Sequence, residues 1–193
     1  MFWSLGPLVL GCLVVAGLVG TCSFAPGRTN RGPIPTYNAG AALHADANAL
    51  GFPIRLPQVP AGWQPNSGGR GGVDGGHVDP ATGARVHAAT STVGYITSGG
   101  MYMALVQSNA DESALVNSIH AGSYPGGTTE VSNTRWVIYN GVDKNGAPTE
   151  PVWTVRLSSP AGPSQVAVTG AGTVEDYRTL AEAVQSQAPL PVR

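Results

Sequence analysis

The sequence predicts an α+β domain: an antiparallel sheet of about five or six strands packed by two or three helices, preceded by one N-terminal transmembrane helix. Three observations lead there. Phe2–Ala25 carries no charged side chain, and the first one after it is Arg28. From Arg85 onward, short runs rich in Val, Thr, Tyr and Trp are separated by Gly, Asn and Pro turns, as in a meander. Three polar-capped segments repeat apolar residues at helical spacing.

The first stretch has the length for a span, since about 20 mainly apolar residues cross the ~30 Å hydrocarbon core. A helix is the expected form because lipid offers the backbone no hydrogen-bond partners. Pro7 lies near the start, where a missing N–H costs least, and Trp3 suits the interfacial belt. A cleaved signal peptide competes, with Ser23 and Ala25 as a weak cleavage site, but the run exceeds a usual h-region and no basic residue precedes it. Lipidation at Cys22 is a third reading, and Thr21 departs from the small residue expected before such a cysteine. The expected organisation is an anchor at 1–25, a Pro/Gly linker at 26–35, a globular domain at 36–188 and a tail at 189–193. Arg28 and Arg31, counted alone, would hold the domain in the cytoplasm. The reading adopted is a single-pass cell-membrane protein with an extracytoplasmic domain.

In the domain, Thr36 or Asn38 caps a helix whose stripe is Ala39, Ala42, Leu43, Ala47 and Leu50, and Gly51 and Pro53 end it. The prolines at 53, 57, 60 and 65 exclude helix and predict an extended edge segment, with Trp63 plugging one end of the core. Asn66–Gly83 is so rich in glycine that a flexible surface loop is expected. Val86–Thr97 and Met101–Ser108 form a hairpin about Ser98-Gly99-Gly100. Asn109 caps a second helix, with Glu112 as its capping-box partner and Leu115, Val116 and Ile119 as its buried stripe. Strands follow at Thr128–Val131, Arg135–Tyr139, Val152–Leu157 and Gln165–Thr169. Thr173 and Asp176 then open a last helix that buries Tyr177, Leu180, Ala181 and Val184.

The chemistry-bearing residues are sparse. Net charge is −1 and charged residues make up 11% of the chain, so no basic face for nucleic acid is expected. Both cysteines, Cys12 and Cys22, fall in the apolar stretch about 15 Å apart along a helix, too far to bridge. His44, His77, His87 and His120 form no zinc-spaced pair, and neither a nucleophile elbow nor a phosphate loop is present. Asp111-Glu112 and Glu175-Asp176 fall in first helical turns, where the helix dipole accounts for them. The one constellation worth carrying forward is His77 with Asp79, joined by His87 or Asp74, as a metal site or hydrolytic centre. The expectation is nevertheless no catalytic, cofactor or metal residue and no cofactor.

The order of several short motifs resembles a known family. These are Pro57-Gln58-Val59-Pro60-Ala61-Gly62-Trp63, Gly94-Tyr95-Ile96-Thr97 with Gly100 running into Val106-Gln107-Ser108, Trp136 to Tyr139, and Val168-Thr169-Gly170 before Leu180-Ala181. Together they are similar to the domain of unknown function 4245 family of actinobacterial single-pass membrane proteins, over nearly the whole chain. The resemblance implies an extracytoplasmic domain and brings no activity, cofactor or catalytic residue. A tryptophan usual before the Gly-Tyr-Ile-Thr element is missing, and the glycine-rich insert looks longer. The expected function is a non-catalytic binding or interaction module of the cell envelope. Its partners would be membrane lipid, through the N-terminal helix, and an envelope protein or ligand. The alternative is an envelope enzyme using His77 and Asp79.

Overall fold

The computed structural model describes residues 35–192, so the anchor expected at Phe2–Ala25 lies outside the described residues. Among the described residues no helix is long and apolar enough to cross a membrane. The domain is α+β, as its sequence predicts. Seven strands form one sheet: β1 (Gln64–Val78), β2 (Arg85–Ile96), β3 (Tyr102–Ser108), β4 (Tyr124–Val131), β5 (Thr134–Asn140), β6 (Val152–Ser159) and β7 (Gly162–Gly170). Their order is β1-β2-β3-β7-β6-β5-β4, and every neighbouring pair is antiparallel. The helices are α1 (Ala39–Ala49), α2 (Glu112–Ile119) and α3 (Val174–Gln185).

The topology joins two meanders. β1 to β3 lead inward, α2 carries the chain to the far edge, and β4 to β7 return until β7 pairs with β3 at the centre. Strand alternation then gives each face its own core. Val93, Tyr95, Met103, Leu105, Trp136, Trp153, Val166 and Val168 meet α1 and α3 on one face. Ala88, Val106, Val152 and Ala167 meet Leu115 and Val116 of α2 on the other.

The helix ends follow local chemistry. Asn38 caps α1 by accepting the Ala41 N–H at 3.0 Å. Thr173 and Asp176 form the predicted reciprocal box on α3. At α2 the structure corrects the sequence reading. Asp111 is the N-cap, while the Asn109 carboxamide accepts the Ala89 N–H at 2.8 Å and extends the sheet instead.

The largest correction is β1. The predicted loop at Asn66–Gly83 is mostly strand, and it supplies the strand beyond the five or six expected. Glycine has no side chain to alternate, so the stretch carries no period-2 signal, yet beyond a bulge at Pro65–Ser67 its backbone pairs with β2 in register from Ser67 to Asp74. Gly68 also serves packing: a Cβ there would collide with the Tyr37 ring. Because β1 holds the edge, the proline-rich segment is not the predicted edge strand. Phe52, Ile54 and Arg55 are buried, and Arg55 has its N–H and C=O satisfied by the Gln107 side chain at 2.8 and 2.9 Å. Ile54 C=O accepts the Leu190 N–H at 2.8 Å, tying the C-terminal residues to the domain.

Candidate functional site

The glycine-rich half of β1 and the start of β2 form an arm that leans on the N-terminal end of α2. Two backbone features hold it there. Asp111 N–H donates to Gly75 C=O at 2.9 Å. Gly76 has φ +88°, and a Cβ on it would stand 2.9 Å from Ala114 Cβ and 3.0 Å from Asp111 Cβ. Only glycine accommodates both that dihedral and that approach.

Between arm and helix lies a cleft of about 640 Å³, within the size range of small-ligand sites. Val73, Asp74, His77 and Arg85 line it from the arm, and Ser113 and Asn117 are among the residues facing it from α2. Its ionisable side chains are engaged in pairs. Arg85 Nη1 lies 2.6 Å from Asp74 Oδ2, and His77 Nδ1 lies 3.0 Å from Asp111 Oδ2. The Gly76 N–H, 3.0 Å from Asp74 Oδ1, and then the Arg85 guanidinium hold the Asp74 carboxyl below the usual carboxylate range. Neutral donors and acceptors make up the rest of the polar lining: the Ser113 and Ser118 hydroxyls and the Asn117 carboxamide.

The candidate residues separate. Asp79 does not join His77: its carboxylate accepts the N–H groups of Ala81 and Thr82 at 2.7 and 3.3 Å and closes the turn before β2. His87 stands opposite Asp74 in the β1–β2 register but does not line the cleft. His44 is exposed on α1, and His120 approaches Glu150 at 3.8 Å. Among the described residues no three His, Cys, Asp or Glu side chains stand close enough to hold a metal ion. The carboxylate pair read as dipole partners divides its work, Asp111 meeting His77 and Glu112 accepting the Tyr139 hydroxyl at 2.8 Å. Burial and that carboxylate together push the Tyr139 phenol up to about 12. Sequence reasoning missed Asp111 as the partner of His77 because the two are 34 residues apart and meet only through the arm.

The aromatics expected in the core are mostly there, with Tyr95, Trp136 and Trp153 buried and Trp63 packed 6.5 Å from Tyr95 between ring centroids. Tyr102 is the exception, 40% exposed at the start of β3.

No curated protein and no solved structure matches this chain. A family model, described as protein of unknown function DUF4245, matches residues 1–184. The match spans the motifs, the arm and all three helices but the last residue of α3, so the chain belongs to the DUF4245 family.

Proposed function

We propose that the protein is a membrane-held, non-catalytic binding module of the cell envelope, with its domain on the extracytoplasmic side. In this reading the cleft between the β1–β2 arm and α2 takes a neutral, hydroxyl-rich ligand of the glycan class. One observation carries the ligand class: Arg85 is matched by Asp74, His77 is hydrogen-bonded to Asp111, and the remaining polar lining is neutral. A charged ligand would have to break one of those pairs, whereas a polyol can exchange its water contacts for Ser113, Asn117 and Ser118. Membrane attachment is supported by the uncharged run Phe2–Ala25.

The test uses the full chain in lipid nanodiscs and titrates neutral and anionic oligosaccharides by calorimetry. Neutral sugars should bind, and Asn117→Trp, which fills the cleft from the exposed side of α2, should weaken binding at least tenfold. Equal affinity for anionic sugars, or unchanged affinity in Asn117→Trp, would sink the proposal. Protease accessibility of the domain in intact cells tests its sidedness.

A second reading rests on the His77–Asp111 pair. A carboxylate on Nδ1 presents the Nε2 lone pair outward, as a general base requires. Loss of a hydrolytic activity in both His77→Ala and Asp111→Asn would favour this reading.

A further inference from the structure

The two edges of the sheet are treated differently. Edge strands expose unpaired backbone groups and are normally blunted. β4 is short, carries Pro125 and a bulge near its start, and has two of its carbonyls occupied from α3. Arg178 Nη1 donates to Glu130 C=O at 2.9 Å, and Gln185 Nε2 donates to Val131 C=O at 2.7 Å. β1 spans 15 residues and, among the described residues, is closed only towards its ends, where Pro65 C=O accepts from Tyr37 and Gly75 C=O accepts from Asp111.

The direction of the free groups between those points can be derived. Ala89 turns its N–H to Asn109 Oδ1 and its C=O to Ser108 Oγ, so its backbone faces the β3 side. Gly72 stands opposite Ala89, and opposed residues of an antiparallel pair either face each other or both face away. The N–H and C=O of Gly72 therefore point off the edge, and alternation adds those of Gly68, Arg70 and Asp74. These residues are all exposed.

We infer that this edge joins two copies of the chain, β1 against β1, about a two-fold axis at Gly72. Charge selects both the occupant and the register. Centring the axis on Arg70 or Asp74 would oppose like charges. Centring it on Gly72 places Arg70 of each copy opposite Asp74 of the other, on one face of the extended sheet. Within one chain, Arg70 Nε is held by the buried Asp46 and Asp74 by Arg85. The paired edges thus form a chain of alternating charge, Asp46–Arg70–Asp74–Arg85, repeated by the axis. Joining β1 to β4 of the next copy would extend without closing, and the occupied carbonyls of β4 oppose it.

Register-specific cross-linking of the full-length chain in vesicles tests this, with Cys12 and Cys22 changed to Ser. In the inferred pairing Gly72 faces its own copy at a Cα separation of about 5.5 Å, within disulfide range. A Cβ at Gly72 meets only Ala88 C=O, at 3.8 Å, and one at Gly69 meets nothing within 4 Å, so both accept cysteine. The two copies of Gly69 would be about 20 Å apart. Under mild oxidation Gly72→Cys should give a covalent dimer and Gly69→Cys should stay monomeric. Adding Asp74→Lys to Gly72→Cys should cut the dimer yield about tenfold, because the axis repeats the new repulsion. Equal cross-linking at both glycines would overturn the inference, as would no dimer from Gly72→Cys or a monomeric mass of the unmodified chain in detergent. Cross-linking of Gly72→Cys to a different protein would overturn the second copy as the occupant.

Discussion

Two tyrosines on the same core face make opposite predictions for the same substitution. Tyr95 is 1% exposed, and its hydroxyl has no hydrogen-bond partner among the described residues. Burial pushes its phenol well above the ordinary range. Tyr177 is nearly as buried, but its hydroxyl donates towards two carbonyls, Gly170 at 2.7 Å and Pro151 at 2.9 Å. A buried polar group without a partner costs about 1–3 kcal/mol, whereas a made hydrogen bond contributes about 1 kcal/mol net. Tyr95→Phe removes the stranded hydroxyl and leaves a void on the order of 10 Å³, worth ~0.2 kcal/mol at ~24 cal/mol per Å³. The expected result is stabilisation by about 1 kcal/mol, or a Tm rise of about 2–4 °C for a domain of this size. Tyr177→Phe should instead destabilise by about 1–3 kcal/mol, because the Gly170 carbonyl loses the hydroxyl and the Pro151 carbonyl is left with Thr169 Oγ1 alone among its side-chain donors. Urea unfolding of the full chain in detergent, followed by tryptophan fluorescence, measures both, with binding to the cleft as a check that the site survives. If Tyr95→Phe destabilises by 1 kcal/mol or more, the hydroxyl has a partner and the reasoning fails; it fails equally if the two variants shift in the same direction.

Two further predictions follow from buried polar groups. Gln107→Leu keeps the volume but strands the N–H and C=O of Arg55, and should cost about 2–4 kcal/mol in urea unfolding, while a loss under ~1 kcal/mol would mean the segment repairs itself. Stability should also fall as pH rises from about 10 to about 12. Burial lifts the Tyr139 and Tyr177 phenols to about 12 in the folded chain. A folded-state pKa above the unfolded one supplies stability that is complete below the unfolded value and lost on the way up to the folded one. Tyr139→Phe should flatten that limb in denaturation midpoints taken across it, and an unchanged slope would remove Tyr139 from the account.

The legible parts of the fold are those where side chains repeat. The α3 box, the β2–β3 hairpin about Ser98-Gly99-Gly100 and the Trp136 strand all carry a period or a turn signature, and each forms where expected. β1 was illegible because eight consecutive positions from Ser67 to Asp74 include four glycines, which leave the backbone able to pair and the pattern blank. The site was half legible. His77 stood out as a lone histidine in a glycine-rich stretch, but its nearest acidic residues in sequence are used elsewhere, Asp74 by Arg85 and Asp79 by its own turn.

By itself the sequence determined the α+β class, the helices and most strand positions, because propensity, capping and periodicity act over a few residues. It also marked the uncharged run at Phe2–Ala25. Tertiary structure alone decided that a glycine-rich stretch is the edge of the sheet, that Asp111 meets His77, and that Gln107 stands in for a strand beside Arg55. Each is a pairing between segments far apart in the chain, where the partner is chosen by backbone hydrogen bonds and close approach, and neither writes a local signature in the side chains.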